Sequence, residues 1–183
     1  MLAIFFGVSC VGKSSLIREL RNKFGWLSIP TYMTRSLRAE ETEKISVSKK
    51  EFVRMENENL FVCVNQIFGN KYGTPRKEIE TSIRDQESYW MLDFPISKIN
   101  LLSDYKYLGF VILPQNEDQL VNQVKNSNRT ERLLSILKDY RDYYAKYHNQ
   151  RQEDDSLIAV VNTTNKLHET SQLIYSLANK LSL

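Results

Sequence analysis

Lys13 and Ser14 follow a glycine that stands five residues after another. Gly7-Val-Ser-Cys-Val-Gly12-Lys13-Ser14 fills every fixed position of the pattern G-x-x-x-x-G-K-[ST]. Glycines so placed let the backbone curl until successive N–H groups point inward, and the N-terminus of the following helix adds partial positive charge. Such a loop holds phosphate oxygens. Lys13 would reach the β- and γ-phosphates of a nucleoside triphosphate, most simply ATP, and the Ser14 hydroxyl would ligate Mg²⁺. Ser9, Cys10, Val11 and Ser15 complete the ATP-binding stretch with Gly7 and Gly12. A magnesium site also calls for a carboxylate at the end of a neighbouring apolar strand. Asp93, closing Tyr89-Trp-Met-Leu-Asp93, has that place, although a helix N-cap would want the same residue.

These residues need elements to carry them. Leu2-Ala-Ile-Phe-Phe6 is an apolar run suited to a strand buried on both faces. Leu16, Ile17, Leu20 and Phe24 recur at helical spacing until Gly25 stops the helix. Pro30 to Glu43 is polar and shows no period. Ser48-Lys-Lys-Glu51 reads as a capping box, Leu60 to Ile67 as a strand, and Phe68-Gly-Asn-Lys71 as a turn. Pro75 suits the start of a helix to about Arg84.

Tyr89 to Asp93 and Tyr107 to Leu113 are further buried strands, with a helix between them over Pro95 to Leu102 and another after Pro114. One long helix is predicted from about Thr130 to Tyr147, with Leu133, Leu137, Tyr140 and Tyr144 on its inner face. Tyr140, Tyr143, Tyr144 and Tyr147 then read as packing residues. Gln150 to Asp155 reads as a mobile loop. Leu157 to Val161 is the last strand, and Leu167, Ile174, Leu177 and Leu181 are the stripe of a C-terminal helix. Strands alternating with helices imply an α/β fold with a parallel sheet covered on both faces.

The bulk properties set bounds. A chain of 183 residues, 42% hydrophobic and 26% charged, suits one domain able to bury a core. A net charge of +3 gives no reason to expect a nucleic-acid partner. Cys10 and Cys63 are the only cysteines, which fits a reducing cytoplasm. The apolar stretches are too short to span a membrane, so a cytoplasmic monomer or homodimer is expected.

The motifs taken together narrow the field. After the P-loop come Thr31-Tyr-Met-Thr34-Arg35 with Arg38 and Glu41, then Val47-Ser-Lys-Lys-Glu51-Phe52. Phe68-Gly-Asn-Lys-Tyr72-Gly-Thr-Pro75, Phe110-Val-Ile-Leu-Pro114 and Val160-Val-Asn162 follow in order. In this combination the chain resembles the guanylate kinase family over nearly its whole length.

The resemblance implies the three-layer sandwich of P-loop NTPases: a parallel-sheet core (1–30, 89–124 and 144–183), a small acceptor-binding lobe (31–88) and a short lid (125–143). It implies transfer of the γ-phosphoryl of ATP, with Mg²⁺, to a small-molecule acceptor phosphate. Thr31, Arg35, Arg38, Glu41, Cys63, Tyr72 and Thr74 would fall in the acceptor site, and Asn162 beside the adenine of ATP. Arg129 and Arg132 would be lid arginines, with Arg141 a weaker candidate. The chemistry agrees. Arg35 and Arg38 can form bidentate contacts with a phosphate that the Tyr72 hydroxyl also meets. Arginines gathered round the moving charge matter more to phosphoryl transfer than a general base does.

Three departures bear on the acceptor. Cys63 stands where the family has a glutamate that reads the guanine edge, and Pro95 where a second acid would follow Asp93. The segment after Glu41 is shorter and lacks the family's tyrosine, Lys44 being nearest. Both acceptors for the guanine N1–H and N2–H₂ donors are thus gone, which weakens guanine selectivity or moves it to other residues. A nucleoside monophosphate (nominally GMP or dGMP), a sugar phosphate such as ribose 1,5-bisphosphate, and a non-catalytic binding module all remain open. Tyr32-Met-Thr34-Arg35 and Ile45-Ser-Val-Ser48 are similar to the ribose 1,5-bisphosphate phosphokinases of the same fold.

Overall fold

The computed structural model describes residues 1–38, 41–127, 129–148, 157–163 and 166–181. The expected loop at Gln150 to Asp155 lies outside them. Along the chain run β1 (Leu2–Phe6), α1 (Lys13–Phe24), β2 (Leu27–Ser28), β3 (Thr31–Met33), β4 (Lys44–Ser46) and α2 (Lys49–Asn57). Next come β5 (Phe61–Ile67), β6 (Asn70–Pro75), α3 (Arg76–Arg84), β7 (Trp90–Asp93) and β8 (Leu108–Pro114). The rest is α4 (Glu117–Asn126), α5 (Leu133–Asp139), β9 (Leu157–Asn162) and α6 (Leu167–Leu181).

Two sheets result. The larger is wholly parallel, in the order β2-β7-β1-β8-β9. Its middle strands, β1 and β8, are buried at every position, which is why they read as unbroken apolar runs. From β1 the chain crosses to β2 on one side, and from β8 to β9 on the other. Right-handed crossovers in opposite directions put their helices on opposite faces of the sheet. The strand order therefore reverses at β1, and ligands of such sheets bind at the carboxyl ends of the strands at that point. α1 and α6 pack together, with Phe24 stacked on Tyr175 at 4.2 Å. The fold class is α/β with a parallel core, as expected.

The smaller sheet runs β4-β3-β6-β5, with β5 and β6 an antiparallel hairpin. It has its own apolar cluster of Phe52, Met55 and Phe61, packed by Tyr32, Val47 and Val64. Pro30 to Glu43 is thus not featureless, because β3 starts at Thr31. Three residues are too few for a strand to show a period. Tyr72-Gly-Thr-Pro75, which the sequence left unassigned, completes β6. Ser48 accepts the Glu51 N–H at 3.1 Å, but the Glu51 carboxylate turns to Arg54, so only half of the capping box forms.

Two further expectations fail. The single helix over Thr130 to Tyr147 is broken into a 3₁₀ turn (Thr130–Arg132), α5, a π turn (Tyr140–Tyr144) and a second 3₁₀ turn (Ala145–His148). Ile136, Tyr140 and Tyr144 are its buried residues, while Leu133 and Leu137 are only partly covered. Residues four apart drift round a 3.6-residue helix, and the wider π turn keeps Tyr144 facing inward. In α6 the buried face is Thr170, Ser171, Ile174 and Ala178, and Leu181 is exposed. The expected helix between β7 and β8 is present and is of the 3₁₀ kind (Ile96–Leu102). No described helix is long and apolar enough to cross a membrane.

Candidate active site

Gly7 to Gly12 closes β1 and opens α1 at the strand-order reversal. Gly12 is the N-cap of α1 in the left-handed region (φ 97°), and the Leu16 N–H reaches its carbonyl at 3.0 Å. No acidic residue lies in the first turn, so the positive end of α1 is not neutralised by its own sequence. Lys13 Nζ donates to the carbonyls of Gly7 and of Val8, the latter at 3.0 Å, and lies 3.8 Å from Asp93 Oδ1. Burial pushes its pKa below the usual lysine value, with Asp93 opposing. Asp93 is set beside the loop because it pairs in register with Phe5 of β1.

Two cavities meet over this loop and share Val8, Ser9, Lys13, Lys44 and Asp93. One, of about 480 Å³, lies over the P-loop, with Ser14 and Ser15 in its lining. Among the described residues Lys13, Arg35, Arg38, Lys44, Arg129 and Arg132 also line it, against Glu41 and Asp93 as carboxylates. The cations feel one another. Burial lowers the Arg38 pKa, and Arg129 and Arg35 lower it further. Among the described residues six cationic side chains facing two carboxylates make a space that favours multiply charged anions.

Arg35 is held for this work. Its guanidinium forms paired bonds with the Glu41 carboxylate, one at 2.7 Å, and Nε donates to the Tyr72 hydroxyl at 3.1 Å. Arg38 donates its backbone N–H to Glu41 at 3.0 Å, so one carboxylate organises both arginines. Arg129 Nη1 reaches Ser9 Oγ at 3.2 Å and Cys10 Sγ at 3.4 Å. The Arg132 guanidinium sits 4.3 Å from the centre of the Phe68 ring.

The second cavity, of about 520 Å³, opens between the small sheet, the 3₁₀ turn after β7, and α5 with its π turn. Thr31, Cys63, Tyr72 and Thr74 line it. The hairpin register sets Cys63 opposite Thr74 and Asn65 opposite Tyr72. Burial pushes the Cys63 thiol up, so it stays neutral. The Tyr144 hydroxyl, pushed up by burial with Asp93 adding, lies near the backbone of Gly7 and Ile96.

The sequence reading missed Asn65, Ser97, Asp139 and Tyr143, all of which line this second cavity. Asn65 could have been found, because it shares a strand face with Cys63 two residues earlier. Tyr143 and Tyr144, whose spacing reads as packing, line it as well. The signal for Asp139 was hidden by the break in the helix.

Arg35, Arg38 and Glu41, expected in the acceptor site, line the P-loop cavity and not the second one, because the Arg35–Glu41 pair turns them toward the loop. Two more expected residues line neither cavity. Asn162 lines neither cavity: it is buried and donates Nδ2 to the Val11 carbonyl at 2.8 Å, beneath the P-loop. Arg141 pairs with Glu117 on the surface, its Nε at 3.1 Å from a carboxylate oxygen. Among the described residues no group of three or more His, Cys, Asp or Glu gathers as for a metal. The hydroxyl of Ser14 and the carboxylate of Asp93 are hard oxygen donors, the kind Mg²⁺ takes alongside phosphate oxygens and water.

A family model described as guanylate kinase matches residues 2–176. A guanylate kinase of Clostridium tetani (strain Massachusetts / E88) is 29% identical over 97% of this chain and 84% of its own length. One from Wigglesworthia glossinidia brevipalpis is 31% identical over 74% of this chain and 72% of its own. The crystal structure of guanylate kinase from Anaplasma phagocytophilum superposes with a TM-score of 0.69 at 17% identity, covering 100% of this chain and 86% of that one. The last of these shows likeness of fold.

Proposed function

The chain belongs to the guanylate kinase family, and from that premise we propose that it transfers the γ-phosphoryl group of ATP to the phosphate of a nucleoside monophosphate, nominally GMP or dGMP. The observation that carries this reading is the shared wall of the two cavities. The P-loop cavity gathers six cations, and the cavity beside it, lined by Tyr72 and Thr74, opens onto the same Lys13 and Asp93. Two anions can therefore be held end to end, which phosphoryl transfer requires.

In this reading the small sheet with α2 and α3 is the acceptor-binding lobe, and Arg129 and Arg132 belong to the lid. Lys13 leaves the carbonyls of Gly7 and Val8 for the β- and γ-phosphates. Arg35, Arg38 and Tyr72 hold the acceptor phosphate in line. An acceptor oxygen forms the new bond to the γ-phosphorus as the bond to the β–γ bridging oxygen breaks and ADP departs. An ionised acceptor phosphate has no proton to lose, so no general base is needed. Ser14 and Asp93 would hold Mg²⁺, which when bound neutralises charge on the β- and γ-oxygens.

The base reading is altered. Cys63 offers a neutral, buried thiol in place of a carboxylate, and Pro95 offers no side-chain acceptor. Guanine selectivity is therefore expected to be weak. The same two residues favour a second reading, in which the acceptor is a sugar phosphate such as ribose 1,5-bisphosphate. The intact Gly12, Lys13 and Ser14, with a cationic cavity above them, argue against a non-catalytic module.

A screen of nucleoside monophosphates and ribose 1,5-bisphosphate with ATP and Mg²⁺ tests this. Turnover of GMP or dGMP supports the first reading, and efficient turnover of the sugar phosphate alone replaces it with the second. No turnover with any acceptor removes both.

A further inference from the structure

Phe68 and Gly69 are the central residues of the β5–β6 hairpin, inside the paired rung Ile67–Asn70. Their φ angles are +49° and +74°. A two-residue turn with both central φ positive favours Asn-Gly, and a bulky side chain at the first position occupies a disfavoured backbone region. Phe68 gains no core burial in return. It is 49% exposed and belongs to neither apolar cluster. Backbone strain kept without a packing benefit points to use elsewhere.

The ring's use is visible in its neighbour. The Arg132 guanidinium carbon lies 4.3 Å from the ring centre, within cation–π range. Arg132 lines the P-loop cavity and Phe68 the acceptor cavity, so this contact spans the junction of the two. The other partner shown for the Arg132 side chain is Glu131, its exposed chain neighbour, at 3.0 Å. A long side chain on a three-residue 3₁₀ turn has many rotamers, and the aromatic face selects one of them.

We propose that Phe68 is a positioning residue for phosphoryl transfer: the hairpin tip of the small sheet seats the Arg132 guanidinium over the P-loop cavity. The proposal rests on the reading of Arg132 as a transfer arginine.

Phe68→Asn separates this role from a structural one, because Asn suits the turn better than Phe. Steady-state kinetics would use Mg-ATP with GMP, or with ribose 1,5-bisphosphate if the acceptor screen selects it. Phe68→Asn is expected to lower kcat roughly tenfold, the scale of a lost, partly desolvated cation–π contact. KM for ATP should stay within about twofold, and Tm should hold or rise. Phe68→Tyr should recover most of the rate. In an Arg132→Ala background Phe68→Asn should cause no further loss, as expected when one residue acts through the other.

The proposal falls if Arg132→Ala lowers kcat while Phe68→Asn does not, if the two losses multiply, or if rate and Tm fall together in Phe68→Asn. A wild-type rate in Arg132→Ala removes the transfer role of that arginine and this proposal with it. An inactive wild-type enzyme removes the kinase reading beneath both.

Discussion

Asn162, the last residue of β9, supports the P-loop from below by donating Nδ2 to the Val11 carbonyl at 2.8 Å. A Cβ on Gly12 would come within 2.4 Å of the same nitrogen, so the glycine and the amide fit only each other. Asn162→Ala removes the donor and leaves a buried carbonyl unpaired. The expected loss of stability is about 1–3 kcal/mol. Mg-ATP affinity should fall as the loop loosens. Thermal unfolding and calorimetry with Mg-ATP measure the two effects, and unchanged ATP affinity would show that the loop holds its shape unaided.

Lys13 predicts the opposite separation. Its ammonium is desolvated at the mouth of the cavity, with its pKa pushed down by burial. Burying a charge is unfavourable, so the fold does not depend on it. Lys13→Met keeps the apolar stem and removes the charge. Tm should stay within about 4 °C, the shift that roughly 1 kcal/mol produces in a domain of this size. Transfer should drop by about 10³-fold or more. A variant that unfolds would show that Lys13 is structural.

The frame of this molecule was legible because its central strands lack polar alternates. β1 and β8 could not be anything but buried, and a glycine-rich loop between a buried strand and a helix has few other uses. The small sheet was harder to read. β3 and β4 are three residues each, and β3 pairs with β6 of a hairpin far along the chain. The π turn was invisible for a different reason. Ile136, Tyr140 and Tyr144 fit a helical stripe about as well as a widened turn, and only packing against Gly7 and Ile96 chooses between them. Nothing local to Asn162 points to its partner, which lies 151 positions away.

The Arg35–Glu41 pair gives a pH prediction. Burial raises the Glu41 carboxyl, but hydrogen bonds from Arg35 and the Arg38 backbone outweigh it and hold the group at about 2, against an ordinary 4.5. A carboxyl depressed in the folded state stabilises it fully above the unfolded value. That contribution is lost as pH falls from 4.5 toward 2. Glu41→Gln should therefore have a lower Tm than wild type above this window, with the gap closing inside it. Parallel curves across the window would mean that the pair does not contribute.

Three arginines make a last, graded test. Arg35 lines the P-loop cavity and donates to Tyr72 of the acceptor cavity, so as a holder of the acceptor phosphate its change to Ala should raise the acceptor KM far more than the ATP KM. Arg129 touches Ser9 and Cys10 of the P-loop itself. It is placed to meet charge as that charge moves, and its removal should lower kcat by about 10³-fold if it acts as a transfer arginine. Arg141 is paired with Glu117 on the surface and lines neither cavity. Arg141→Ala should leave both KM values and kcat near wild type, because an exposed pair is screened by water and salt. Measured side by side with one acceptor, the three give one binding defect, one rate defect and one silent change. A rate defect in Arg141→Ala would mean that α5 and the turns flanking it rearrange during the reaction to bring that side chain inward. A silent Arg129→Ala would mean that the cations of the small sheet suffice for the transfer.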